Sequence, residues 1–177
     1  METKEKILSR ERLYDGKIFK ADKYVVELPD GKTAIREEIA HSGGACALVE
    51  EDGEIYFVSQ YRLAARTDLI EIPAGKLSEG ENPEDAAKRE LIEETGILAE
   101  ELKLIAAVYP SPGYTNERIF IYHCTKFKKV AQKLDEGEFL NVLKIKKDRA
   151  FEMIESGEIT DGKTVVALLY LKSLSQK

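Results

Sequence analysis

Residues 23–62 hold four short β-prone runs separated by two reversal signals, and that pattern confines the chain to folds built on a sheet. KYVVEL and TAIREEI flank PDGK, where Pro29, Asp30 and Gly31 favour a tight reversal between antiparallel strands. ACALVEE and EIYFVSQYR flank a second such turn at Asp52-Gly53. Further on come KLIAAVYP, the loop SPGYTNE and the runs RIFIYHCTKF and FLNVLKI, which read as strands. DRAFEMIESG and GKTVVALLYLKSL space their apolar residues as helices do: Ala150, Met153 and Ile154 mark one stripe, and Val165, Leu168, Leu169 and Leu171 another. Strands dominate the first half and helices fall in the middle and at the end, so this is not a regular βαβ alternation. The pattern predicts an α/β fold with a mixed sheet packed between helices. Residues 1–40 read as a small antiparallel hairpin element that must pack on something else to be stable, leaving 41–177 as the main domain.

The chain has 177 residues, 43% apolar and 34% charged, enough for one real core plus a small accessory element. A formal net charge of −6 argues against a general surface for long nucleic acid, while leaving room for a small anionic ligand held through a metal. No run of 18 apolar residues exists and METKEKILSRER is charged from its second residue, so neither a membrane span nor a secretory segment is expected and the expected address is cytoplasmic. Cys46 and Cys124 lie in no C-x-x-C, which predicts two reduced, buried thiols. His41 and His123 read as structural.

Residues 75–97, GKLSEGENPEDAAKRELIEETGI, carry seven carboxylates in 23 positions yet spell out a helix. Asn82 suits the N-cap, Pro83 the first helical position, Glu84 and Asp85 the positive end of the dipole, and Gly96 the stop. Ala87, Leu91 and Thr95 make its buried stripe. Glu90, Glu93 and Glu94 are not explained this way: spacings of three and four set them side by side near the negative end, where like charges repel. A solvated acidic face is the plain reading of such a helix. The sharper one is that a hard dication offsets the repulsion, with Arg89, expected to point elsewhere on the helix, bracing a loop carboxylate.

Gly75, Glu81, Arg89, Glu90, Leu91, Glu93, Glu94, Gly96 and Ile97 fit G-x5-E-x7-R-E-U-x-E-E-x-G-U, where U is a bulky apolar residue. The chain therefore resembles the Nudix hydrolases, a family that cleaves a nucleoside diphosphate joined to another group, using a divalent metal and water. The resemblance implies an α/β/α sandwich. It implies Mg²⁺, with Mn²⁺ as a substitute, held by Glu90 and Glu94, with Glu93 assisting a further ion or water, the Ala74 carbonyl as an extra ligand, Gly75 allowing close backbone approach, and Arg89 orienting Glu90 or Glu81.

EIPAGKL, QYR, SPGYTNE and DGKT, with Pro112 about sixteen residues past Gly96, resemble the ADP-ribose pyrophosphatase branch of that family. Likeness to this branch implies hydrolysis of ADP-ribose to AMP and ribose 5-phosphate; another nucleoside diphosphate sugar or a dinucleotide is the alternative substrate, and a non-catalytic nucleotide-binding domain the alternative from outside enzymology. It further implies Phe19 near the adenine, Arg36 and Arg62 near the base or phosphates, and Ser111, Gly113 and Glu117 near the terminal ribose. A core or interface aromatic and surface ion pairs are the plain readings of Phe19 and of the two arginines. DEGEF resembles the branch's loop carrying a catalytic glutamate, with Glu136 and Glu138 both candidates, or else solvated loop acids. The branch also implies a homodimer in which Phe19 or Arg36 serves the partner's site.

Overall fold

The computed structural model describes residues 2–174. Its contacts group into two compact units, one comprising the chain up to Gly43 together with Tyr109–Arg118, the other Gly44–Val108 together with the chain from Ile119 on.

In the first unit three antiparallel strands, β1 (Lys6–Asp15), β2 (Lys20–Glu27) and β3 (Thr33–Ala40), form a sheet in that order. Gly31, at φ 81°, makes the β2–β3 reversal, closed by Leu28 N–H donating to the Lys32 carbonyl at 2.7 Å. β1 left no periodic signal to read: its ten residues are all exposed, and with no buried face there is no alternation to detect. Its hold on β2 includes Arg10 and Arg12, which both donate to the buried Asp22 carboxylate. Segment 109–118 belongs to this unit rather than to the main domain drawn from the sequence. Ile39 N–H donates to the Tyr114 carbonyl at 2.7 Å, Thr115 Oγ1 to the Ile39 carbonyl at 2.9 Å, and His41 N–H to Asn116 Oδ1 at 2.8 Å.

The second unit is a mixed sheet of seven strands between helices. Its strands are β4 (Gly44–Glu51), β5 (Glu54–Arg62), β6 (Thr67–Glu71), β7 (Ala74–Lys76), β8 (Ile97–Val108), β9 (Ile119–Lys129) and β10 (Asn141–Lys146). The main order is β10-β5-β4-β9-β8, with β6 on β5 and β7 on β4; β4 and β9 run parallel and the other pairs antiparallel. Asp52 and Gly53, both at positive φ, form the β4–β5 hairpin turn.

Helix α1 (Pro83–Thr95) covers one face of the sheet, and α2 (Lys147–Glu155) and α3 (Gly162–Leu174) the other. β4 shows why ACALV is apolar throughout: Ala45, Ala47 and Val49 pack with Ala87 and Leu91 of α1, while Cys46 and Leu48 pack with Met153 of α2 and Leu168 of α3. This is the α/β/α sandwich. Cys46 and Cys124 are free and buried, and burial pushes the Cys46 thiol up to about 12. Leu169 departs from its expected stripe and is exposed, because α3 turns Thr164, Ala167, Leu168 and Leu171 to the core.

Candidate active site

Helix α1 starts and stops where its capping residues dictate. Asn82 Oδ1 accepts from Glu84 N–H at 2.8 Å, and Gly96, at φ 66°, donates to the Ile92 carbonyl. A side chain at Gly96 would also meet the Val130 carbonyl at 2.6 Å, so glycine is required twice over. The helix sets Glu90 and Glu94 one turn apart. Both are buried, Glu94 to 2% exposure.

The two carboxylates converge on consecutive residues of β7. Ala74 N–H donates to Glu94 Oε2 at 2.9 Å. A Cβ at Gly75 would lie 1.7 Å from Glu90 Oε1, so the absent side chain is the space the carboxylate fills. Burial pushes the Glu94 carboxyl up to about 8; the Ala74 amide opposes that rise, and the charges of Glu90 and Glu138 add to it. Burial raises Glu90 as well, against the pull of Arg89.

Arg89 does not point away from this cluster. Its Nη1 donates to Glu90 Oε1 at 2.6 Å and to Glu93 Oε2 at 2.9 Å, while Nε and Nη2 grip the two oxygens of Glu81 at 3.0 and 3.1 Å. The long side chain folds back along the helix, so one guanidinium braces three carboxylates. Glu81 also accepts from Ser78 N–H at 2.8 Å, which fastens the loop before the helix.

Two adjacent buried carboxylates with raised proton affinity are oxygen donors suited to a hard divalent ion. Among the described residues no three of the His, Cys, Asp and Glu side chains form a closed cage.

The other expected residues fall into separate groups. In the second unit, Glu138 sits in a turn in which its own N–H donates to the Asp135 carbonyl at 3.1 Å, and its charge reaches both Glu90 and Glu94. Glu136 is exposed in the same turn. Arg62, at the end of β5, forks onto Glu71 with Nε and Nη2 at 2.6 and 2.8 Å. Sequence reading missed Glu71; a lone acid inside the apolar run LIEIPA was the available signal.

In the first unit, Phe19, Ser111 and Glu117 line a cavity of about 180 Å³, and Arg36 and Gly113 a larger one of about 480 Å³; Tyr114 and Thr115 stand in the walls of both. Phe19 packs on Tyr14 with ring centroids 5.4 Å apart. Arg36 is paired with Glu5, Nη2 to Oε1 at 2.5 Å. His41 Nδ1 accepts from Gly43 N–H at 3.0 Å and lies 3.5 Å from Glu117 Oε1 in the wall of the smaller cavity, while His123, half-buried, has Nε2 3.7 Å from Glu50 Oε2.

A capped acidic helix that sets a braced carboxylate pair against a glycine of β7, on an α/β/α sandwich, defines a hydrolase of the Nudix type. The family model of the NUDIX domain matches residues 40–160, and the chain belongs to the Nudix family. Among its relatives, the ADP-ribose pyrophosphatase of Bacillus subtilis (strain 168) is 40% identical over 173 residues, 95% of this chain and 92% of that protein. The methanol dehydrogenase activator of Bacillus methanolicus is 37% identical over 171 residues, again 95% and 92%. A solved structure described as an ADP compounds hydrolase superposes with a TM-score of 0.86 over 98% of this chain and 95% of that one; at 19% identity it speaks for the fold.

Proposed function

We propose that the protein hydrolyses the diphosphate bond of ADP-ribose to AMP and ribose 5-phosphate, with Mg²⁺ as the physiological ion and Mn²⁺ able to replace it. The observation that carries this is the pair of buried carboxylates, Glu90 and Glu94, pinned at Ala74-Gly75 and braced by Arg89. Likeness to an ADP-ribose pyrophosphatase along nearly the whole chain supports the choice of substrate.

Glu90, Glu94 and the Ala74 carbonyl would hold the divalent ion, with Glu93 assisting a further ion or a water; when bound, the ion would supply charge neutralisation at the diphosphate and a more acidic water. Arg89 keeps Glu90 and Glu93 oriented. Glu138 takes the proton of the attacking water, a role that its reach to Glu90 and Glu94 favours over the same role for Glu136. Arg62 anchors phosphate oxygens. In the first unit, Phe19 and Arg36 recognise the adenine end, and Ser111, Gly113 and Glu117 the terminal ribose.

The first unit also supports a homodimer in solution. β1 is exposed along its whole length and carries Ile7, Leu8, Leu13 and Tyr14, an apolar edge of the kind that a second copy covers. Sedimentation at micromolar concentration should give a species near twice 19.9 kDa; a single 19.9 kDa species contradicts it.

Likeness to a methanol dehydrogenase activator favours a second reading at the level of partners, in which hydrolysis serves to raise a dehydrogenase's activity. One assay series tests both readings. Turnover of ADP-ribose, other nucleoside diphosphate sugars and dinucleotides is measured with and without EDTA, followed by dehydrogenase rates with and without the protein. The highest kcat/KM on ADP-ribose, abolished by chelation, is the expected result. Tight ADP-ribose binding without product over hours would instead mark a binding domain.

A further inference from the structure

The DGKT turn at 161–164 has no part in the chemistry above, yet it forms the most enclosed ion network of the second unit. Asp161 immediately precedes α3: its Oδ2 accepts from Thr164 N–H at 3.0 Å and from Thr164 Oγ1 at 2.6 Å. The same Thr164 hydroxyl accepts from Ile72 N–H at 2.8 Å, fixing α3 to the residue after β6. Lys163, its side chain 11% exposed, donates to Asp161 Oδ1 at 2.9 Å and to Glu71 Oε2. Glu71, 1% exposed, then accepts both arms of the Arg62 fork.

The chain of contacts alternates in sign, Asp161, Lys163, Glu71, Arg62, and ends on the one member open to solvent, with the Arg62 side chain 41% exposed. Burial alone would raise the Glu71 carboxyl, but Arg62 and Lys163 outweigh it and keep the group ionised. A buried carboxylate so fixed gives the guanidinium one plane and one orientation. The fork uses Nε and Nη2, and Nη1 takes no part in it. Arg62 is also close enough to Glu94 for their charges to act on each other.

We propose that Glu71 and Lys163 are positioning residues: Lys163, held by Asp161, locks Glu71, and Glu71 locks Arg62 as a preformed anchor for the substrate's diphosphate. This rests on the proposed hydrolysis of a nucleoside diphosphate and assigns DGKT its part in it. An arginine on a flexible stem loses freedom when it binds phosphate; one already forked on a buried carboxylate has lost it in folding. The network therefore acts on substrate binding, not on the metal carboxylates.

The test is a set of mutant cycles on ADP-ribose with wild type, Glu71→Gln, Lys163→Met, Arg62→Ala and the two double variants with Arg62→Ala. Alongside turnover, binding of ADP-ribose in EDTA is followed by calorimetry. Glu71→Gln and Lys163→Met are each expected to raise KM about three- to tenfold and to weaken metal-free binding by the same factor. Their kcat should fall by less than KM rises, and neither should shift KM further once Arg62 is alanine. Lys163→Arg should stay within about twofold of wild type in KM. Lys163→Met leaves Glu71 and Arg62 charged and carries the test if thermal unfolding shows that Glu71→Gln does not fold. An equal rise in KM in the Arg62→Ala background, or a loss confined to kcat, overturns the proposal. A folded wild type that neither binds nor turns over ADP-ribose removes the functional reading and the anchor with it.

Discussion

The Ala74 amide donates to Glu94 Oε2 at 2.9 Å, so a carboxylate of α1 is fastened to a strand residue twenty positions earlier in the chain. That hydrogen bond ties Glu94 to the residue whose carbonyl is proposed as a further metal ligand. Without a cation, burial and the neighbouring Glu90 charge raise the Glu94 carboxyl to about 8, so near neutral pH a proton takes the place of the second charge. Several measurable consequences come from that.

Glu94→Gln keeps the shape and removes the charge. Turnover should fall by more than about a hundredfold, beyond what loss of a merely supporting contact costs in metal sites. Divalent-ion affinity by calorimetry should fall with it. A loss below about tenfold would assign the metal to other residues.

The raised Glu94 carboxyl makes metal-free stability depend on pH with a definite sign. Between its ordinary value of 4.5 and about 8 the folded state binds more protons than the unfolded one. Stability therefore declines as pH rises through that window. Asp22 and Glu51, held at about 2 by their cationic partners, act in the opposite sense and at lower pH. Thermal melts in EDTA at about pH 5 and about pH 9 should show the lower midpoint at the higher pH, with Mg²⁺ restoring it there and Glu94→Gln flattening the difference.

Gly96→Ala forces a side chain onto φ 66° and against the Val130 carbonyl. A loss of about 1–3 kcal/mol in denaturant unfolding is expected. Thr164→Val strips the Ile72 amide of its partner inside the core and should cost about 1–3 kcal/mol.

Glu138→Gln should lower kcat by about 10²–10⁴ and leave metal-free ADP-ribose binding nearly intact. Glu136→Gln, two residues away in the same turn, should leave both nearly unchanged. The reverse pattern would exchange the two roles.

What could be read from the sequence was what local chemistry determines. Asn82, Pro83 and Gly96 bound α1 through capping and backbone preference, and GKTVVALLYLKSL is α3 residue for residue. β1 was illegible because no face of it is buried, and β6 and β7 because strands of five and three residues are defined by their partners β5 and β4. Glu90 and Glu94 could be singled out because their repulsion is local. The clamp on Arg62 could not, since Lys163 meets Glu71 across 92 residues and only the packing of α3 near β6 makes DGKT more than a helix start. Helix spacing misdirected Arg89 for a related reason, although the resemblance placed it on Glu90 or Glu81, where it is found: spacing places a Cα, while a long guanidinium chooses its partners in three dimensions.

The most direct measurement is anomalous diffraction from crystals grown with Mn²⁺ and a non-hydrolysable ADP-ribose analogue. The expected result is a metal peak about 2.0–2.2 Å from oxygens of Glu90 and Glu94, bridging to the analogue's diphosphate. A fully bound analogue with no metal on either carboxylate would contradict the proposed chemistry.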